Sequence, residues 1–137
     1  IAYADGFPYL IVSEDSLRVL NEQLIQDGSI AVEMARFRGN IVVKGLAPWQ
    51  ENEIDTLTSI NNKPVTFALC KPCERCPITK IDPVTATVPD KQEPLRALAA
   101  IDTKLSISGA YFGQNAVLVS GVGEKISVGD TLTIQLK

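Results

Sequence analysis

Hydrophobic and polar positions change their period several times along this chain, and each change marks an element. YLIV, residues 9–12, is a compact apolar run behind the turn signal DGFP (5–8) and reads as a strand. From Leu17 the spacing becomes helical. Leu17, Leu20, Leu24 and Ile25 fall at i, i+3, i+7 and i+8, with Ser13 or Asp15 placed as N-cap and Gly28 as the stop. NIVVKG (40–45) returns to a β-rich pattern. TLTSI and KPVTFAL read as a hairpin joined by Asn61-Asn62, since asparagine tolerates positive φ. EPLRALAA (93–100) predicts a short helix. AVLVS (116–120) and TLTIQL (131–136) predict two further strands, separated by GVGEKISVGD with turn residues at both ends. About six short strands, one clear helix and many turns predict a mainly β domain, a closed or nearly closed β-barrel. Periodicity alone fits a sandwich as well.

A length of 137 residues suits one domain with a core that needs no disulfide staple. With 45% hydrophobic and 21% charged residues the composition is that of an ordinary globular protein. The net charge of −3 argues against a duplex nucleic-acid binder, which needs clustered Lys and Arg against phosphates. No apolar run approaches the roughly 18 residues of a membrane span. The chain begins with Ile1 rather than Met, so a processed chain or an excised domain is expected. An odd cysteine count in a chain of this size predicts reduced thiols and a cytoplasmic setting.

All three cysteines lie in CKPCERCPIT, residues 70–79, and the chain has no histidine. A structural zinc site normally takes four N or S ligands from two separated pairs, so a carboxylate would have to complete one here. A four-iron cluster needs a fourth thiolate as a rule. Cys70, ending the run KPVTFAL, is expected to be a buried apolar residue. Cys76 is different. It follows Arg75, and a neighbouring cation favours the thiolate, the form that serves as nucleophile or soft-metal ligand.

The companions of this stretch are ADGFP (4–8), SEDSL (13–17), RFRGNIVVKG (36–45), KPCERC (71–76), IDP (81–83), EPLRAL (93–98), FGQN (112–115) and ISVGD (126–130). In this order and spacing they resemble the MOSC domain, named for the C-terminal part of molybdenum cofactor sulfurase, over nearly the whole chain. The likeness is greatest to the bacterial branch similar to the mitochondrial amidoxime-reducing component, in which KPC-x-RC, FGQN and VGD recur. The resemblance implies a β-barrel that binds the molybdenum–pterin cofactor, with Cys76 as molybdenum ligand and catalytic residue. It also implies cofactor contacts from Asp5, Arg38, Asn40, Arg75 and Thr79. These roles suit the residue types: a thiolate fits a soft, high-valent metal, and arginine offers a forked donor set for phosphate or pterin.

Plainer readings stand beside these. Arg38 on a strand serves as a solvated residue, Asp5 before Gly6 as a turn residue, and Asn40 as a turn or cap. FGQN reads as a packing anchor with a glycine bend, VGD as a tight turn, and Cys73 as a packed residue. The chain also departs from the family pattern. Gly39 stands where proline is usual, Lys80 where many members carry a second threonine, and Ala86 where glycine is usual.

The branch further implies partners: an N-terminal β-barrel domain before this one, and an iron–sulfur or flavin electron donor, in some members a C-terminal ferredoxin-like [2Fe–2S] domain. The parent protein is then expected to be a molybdenum-dependent reductase of N-hydroxylated compounds such as hydroxylamino-purines and amidoximes, and the domain alone is expected to be inactive. The alternatives are a sulfur-carrier or cofactor-carrier module working through a persulfide on Cys76, and a small zinc or iron–sulfur domain.

Overall fold

The computed structural model describes residues 8–60 and 63–137. Six strands form one sheet in the order β2-β1-β5-β4-β3-β6. They are β1 (Tyr9–Ser13), β2 (Ile41–Val43), β3 (Ile54–Ser59), β4 (Thr66–Glu74), β5 (Tyr111–Ser120) and β6 (Leu132–Leu136). All pairings are antiparallel except β1 with β2, which are parallel and joined through helix α1 (Glu14–Gln26). A second helix, α2 (Leu95–Ala100), is short, and 3-10 turns at Met34–Phe37, Gln50–Glu53 and Pro77–Lys80 complete the set. The mainly β, barrel-type expectation therefore holds, but as an open half-barrel. Among the described residues β2 and β6 are the two sheet edges and do not pair with each other.

Helix α1 starts where the sequence places it. Ser13 is the N-cap and its hydroxyl accepts from the Ser16 N–H at 3.3 Å, while Gly28 leaves the helix at φ +84°. Asp15, the other candidate cap, instead accepts from the N–H groups of Gly45 and Leu46 at 2.8 and 3.1 Å. Leu20 and Leu24 are buried as expected, with Ser16 beside them; Ile25 is 62% exposed and lies off the buried stripe.

The core has two parts, one on each face of the sheet, because adjacent strand residues point opposite ways. Val12 packs with Leu20, Leu24, Phe37, Trp49, Leu98 and Phe112 on the helix side. Ile11 packs with Ile54, Leu57, Val65, Phe67, Leu69 and Ala116 inside the curl. Phe112 and Ala116 are an even number of residues apart yet serve different clusters. The β4–β5 register shifts between them, where Gly113 sits at φ +88°, and that bulge exchanges the faces.

Strands β3 and β4 pair as the predicted hairpin; its connection at Asn61-Asn62 lies outside the described residues. Cys70 corrects the expectation of burial. Phe67 and Leu69 point inward, so Cys70 falls on the outer face, exposed, at a register shift between Leu69 and Lys71. VGD forms a turn, as read: the Asp130 N–H donates to the Ser127 carbonyl at 3.0 Å and its carboxylate accepts from the Ser127 N–H at 2.8 Å.

Candidate functional site

Strand β4 ends at Glu74 and the chain turns at once. The Arg75 N–H still donates to the Ala110 carbonyl at 2.7 Å, holding the turn against the start of β5. Cys76 follows, exposed, with its thiol unpaired. Thr79 closes the turn. Its N–H and its hydroxyl both donate to the Cys76 carbonyl, at 3.1 and 2.9 Å, and its own side chain is fully buried. The cysteine is thus presented on a braced loop, with the backbone fixed and the sulfur outside.

Arg75 points away from solvent. One terminal nitrogen donates to the Phe37 carbonyl at 2.7 Å and the other to the Cys73 sulfur at 3.1 Å, while Cζ lies 5.5 Å from the centre of the Phe37 ring. Its Nε is buried with no hydrogen-bond partner among the described residues. Phe37 is itself stacked on Phe112, ring centres 4.1 Å apart, and Trp49 meets Phe112 edge-on at 6.0 Å. The arginine therefore ties the cysteine loop to the Met34–Phe37 turn and, through it, to the core.

That turn carries the next two predicted residues. Arg38 is exposed, sits in the left-handed region at φ +56°, and makes no ion pair or side-chain hydrogen bond among the described residues. Its neighbour Arg36 is the opposite case, buried and bonded to Glu33 at 3.1 Å. Asn40 exchanges backbone bonds with β1: its Oδ1 accepts from the Leu10 N–H at 2.7 Å and its own N–H donates to the Leu10 carbonyl at 2.8 Å. This is the strand-opening role of the plainer reading, and it leaves the amide nitrogen exposed. Between them, Gly39 passes so close over Val12 that a Cβ there would lie 2.6 Å from Val12 Cγ2. Proline carries that same carbon, so the departure from the family pattern is a packing requirement of this chain.

The structure thus brings Arg38, Arg75, Cys76 and Thr79 together on two packed turns, with Asn40 two residues farther along. Asp5 lies outside the described residues. A cleft of about 750 Å³ opens between the β2 and β6 edges, lined by Asn40, Ile41 and Val43 on one side and by Ile126, Leu132 and Ile134 on the other. Cys76 does not line it. Cys73 lies near the end of β4, three residues before Cys76 on the turn, and Cys70 faces outward on β4; among the described residues no three His, Cys, Asp or Glu side chains converge into a metal-ligand set.

Sequence reasoning missed Phe37, whose carbonyl anchors Arg75, because a backbone acceptor leaves no trace in residue type. It also missed Glu51. This carboxylate, 1% exposed, accepts from Ser16 Oγ at 2.6 Å while Oε1 has no partner among the described residues, and burial raises its pKa. Within the polar run WQENE nothing signals that position.

An exposed thiol on a braced turn of a half-barrel, tied through Arg75 to the Met34–Phe37 turn, is the site that this chain presents, and its sequence matches a known family. The chain belongs to the MOSC domain family, whose model matches residues 1–133. It is similar to mitochondrial amidoxime-reducing component 1 of Mus musculus, 34% identical over 82% of this chain and 34% of that protein. The protein of the same name from Homo sapiens is 35% identical over 86% of this chain and 34% of its own length. Molybdenum cofactor sulfurase of Caenorhabditis briggsae is 31% identical over 61% of this chain and 11% of its own. The chain spans about a third of the length of the amidoxime-reducing relatives it matches. No helix among the described residues is long and apolar enough to cross a membrane.

Proposed function

We propose that the chain is the molybdenum-cofactor-binding domain of an oxidoreductase acting on N-hydroxylated compounds, with Cys76 as the metal ligand. The observation that carries this reading is the exposed, unpaired thiol of Cys76 on a turn bonded through Arg75 to the loop of Arg38, whose side chain has no ion pair or hydrogen bond among the described residues. The donor set fits a cofactor better than a bare ion. One cysteine sulfur is offered without a converging set of further protein ligands among the described residues, which suits a metal that arrives already held by an organic group. The exposed Arg38 side chain on the adjoining turn suits that group's anionic end.

In this reading Cys76 ligates, Arg38 neutralises negative charge, and the exposed amide of Asn40 donates to the cofactor's polar edge. Asp5 joins them as a further contact. Thr79 and Arg75 complete the shell around Cys76, and their bonds to the Cys76 and Phe37 carbonyls support a role beneath the cofactor. When bound, the cofactor supplies the two-electron chemistry that cleaves an N–O bond. The oxygen leaves as water with two protons, and the electrons come from an iron–sulfur or flavin donor. That donor, and an N-terminal β-barrel domain that completes the pocket, are the proposed partners. Three free thiols support a reducing compartment, and we place the protein in the cytoplasm.

Cys76→Ala in the full-length protein is expected to lose molybdenum and the reduction of a hydroxylamino-purine or an amidoxime, with an unchanged circular dichroism spectrum. Reduction that survives in this variant removes the mechanism. The sulfurase relative favours a second reading, in which Cys76 carries sulfur as a persulfide. One extra sulfur atom on the Cys76 peptide by mass spectrometry, without reductase turnover, selects it.

A further inference from the structure

The strained residue of the site is Arg38. A non-glycine residue in the left-handed region is strained and persists where the surroundings over-determine it. Here the peptide between Phe37 and Arg38 is held at both ends. Its N–H donates to the Ala35 carbonyl at 3.3 Å, and its carbonyl accepts from the Arg75 guanidinium at 2.7 Å. The orientation of that peptide plane sets φ of residue 38. Releasing the carbonyl would free the plane to rotate and let Arg38 relax to an ordinary conformation, carrying its side chain elsewhere.

The guanidinium is itself over-determined. Its second arm lies on Cys73 Sγ at 3.1 Å and its plane stands over the Phe37 ring at 5.5 Å. Lysine cannot reproduce this: an ammonium is a point donor with no fork to span a carbonyl and a sulfur. Arg75 also precedes Cys76, as Phe37 precedes Arg38. One side chain thus ties the turn that carries Arg38 to the turn that carries Cys76.

We infer that Arg75 is a positioning residue that locks Arg38 in its left-handed conformation and so aims the Arg38 charge at the Cys76 sulfur. Its purpose rests on the proposed cofactor site, but its test needs no cofactor. Cys76 in the folded protein is alkylated in parallel with iodoacetate, an anion, and iodoacetamide, its neutral counterpart, and the modified peptide is quantified by mass spectrometry. Arg38→Ala is expected to lower the iodoacetate-to-iodoacetamide rate ratio by about two- to fivefold, the effect that one unit charge at about 4–8 Å would have in water. Arg75→Lys keeps the charge at position 75 and is expected to lower the ratio equally, because Arg38 has turned away. Simple loosening of the fold would raise both rates together and leave the ratio alone.

A ratio unchanged in Arg75→Lys, with Arg38→Ala showing the drop, overturns the inference. So does a negative φ at residue 38 measured by NMR couplings on the unmodified protein, a reading that does not depend on any variant folding. Loss of molybdenum in Cys76→Ala bears on the cofactor reading alone, so the two can fail separately.

Discussion

Ala86 occupies the left-handed region at φ +55°, inside a loop where its N–H donates to the Asp82 carbonyl at 2.8 Å and the Asp82 N–H reaches the Thr87 carbonyl at 2.7 Å. Alanine gains nothing from this conformation, and glycine adopts it without steric cost. Ala86→Gly is therefore expected to stabilise the fold by about 0.5–1 kcal/mol, the relief of left-handed strain less the extra chain entropy of glycine when unfolded. The shift of the urea midpoint measures it; a fall would mean that the loop does not hold residue 86 as described. Gly39 is the reverse case, since its constraint is space over Val12 and not a dihedral angle. The sequence carried both positions as departures from a family pattern, but only contacts and angles separate a glycine that is needed from an alanine that is tolerated. Cys76 was legible through its motif. Arg75 was legible as a neighbouring cation, while its grip on a backbone carbonyl was not.

Helix α1 was the most readable element, since its period, its Ser13 cap and its Gly28 stop are all local. What joins it to the rest is not local. Ser16, buried in the first turn, accepts from the Trp49 N–H at 2.8 Å and donates to Glu51 at 2.6 Å, so one hydroxyl links α1 to the 3-10 turn Gln50–Glu53. Glu51 is protected from water, and desolvation raises its pKa against the smaller lowering effect of the Ser16 bond, with Asp15 adding to the rise. The folded state therefore favours the protonated carboxyl. The sign of the linkage follows. This preference stabilises the fold fully below pH 4.5, the group's ordinary value, and is lost as pH rises through the elevated folded value. Glu51→Gln keeps an oxygen for Ser16 and does not titrate. Relative to the parent it is expected to gain stability as pH increases from 4.5, with a slope of at most about 1.4 kcal/mol per pH unit, and then to level off. Urea unfolding of both proteins from pH 4 to pH 8 reads this directly, and parallel pH profiles would remove Glu51 as the titrating group.

At the scale of the whole molecule, six strands of the expected type curl without closing. The alternation that predicted them does not report closure, because a strand lining a sealed barrel and one lining an open edge carry the same pattern. In β6, Leu132, Ile134 and Leu136 alternate as if buried, yet Leu136 is 49% exposed and Ile134, which lines the cleft opposite β2, is 37% exposed. Leu57 on the neighbouring β3 lines the same cleft at its floor and is 2% exposed. Burial thus falls off steeply across one strand spacing, and truncations should follow it. Leu57→Ala is expected to cost about 2–5 kcal/mol through lost transfer energy and a residual cavity. Ile134→Ala removes side-chain carbons that already meet water and leaves no enclosed void, so its cost is expected to stay below about 1 kcal/mol. Urea unfolding of the 137-residue chain separates the two. If both truncations cost the same several kilocalories, something covers the β6 edge in solution, and the half-barrel is closed by contacts beyond the sheet described here.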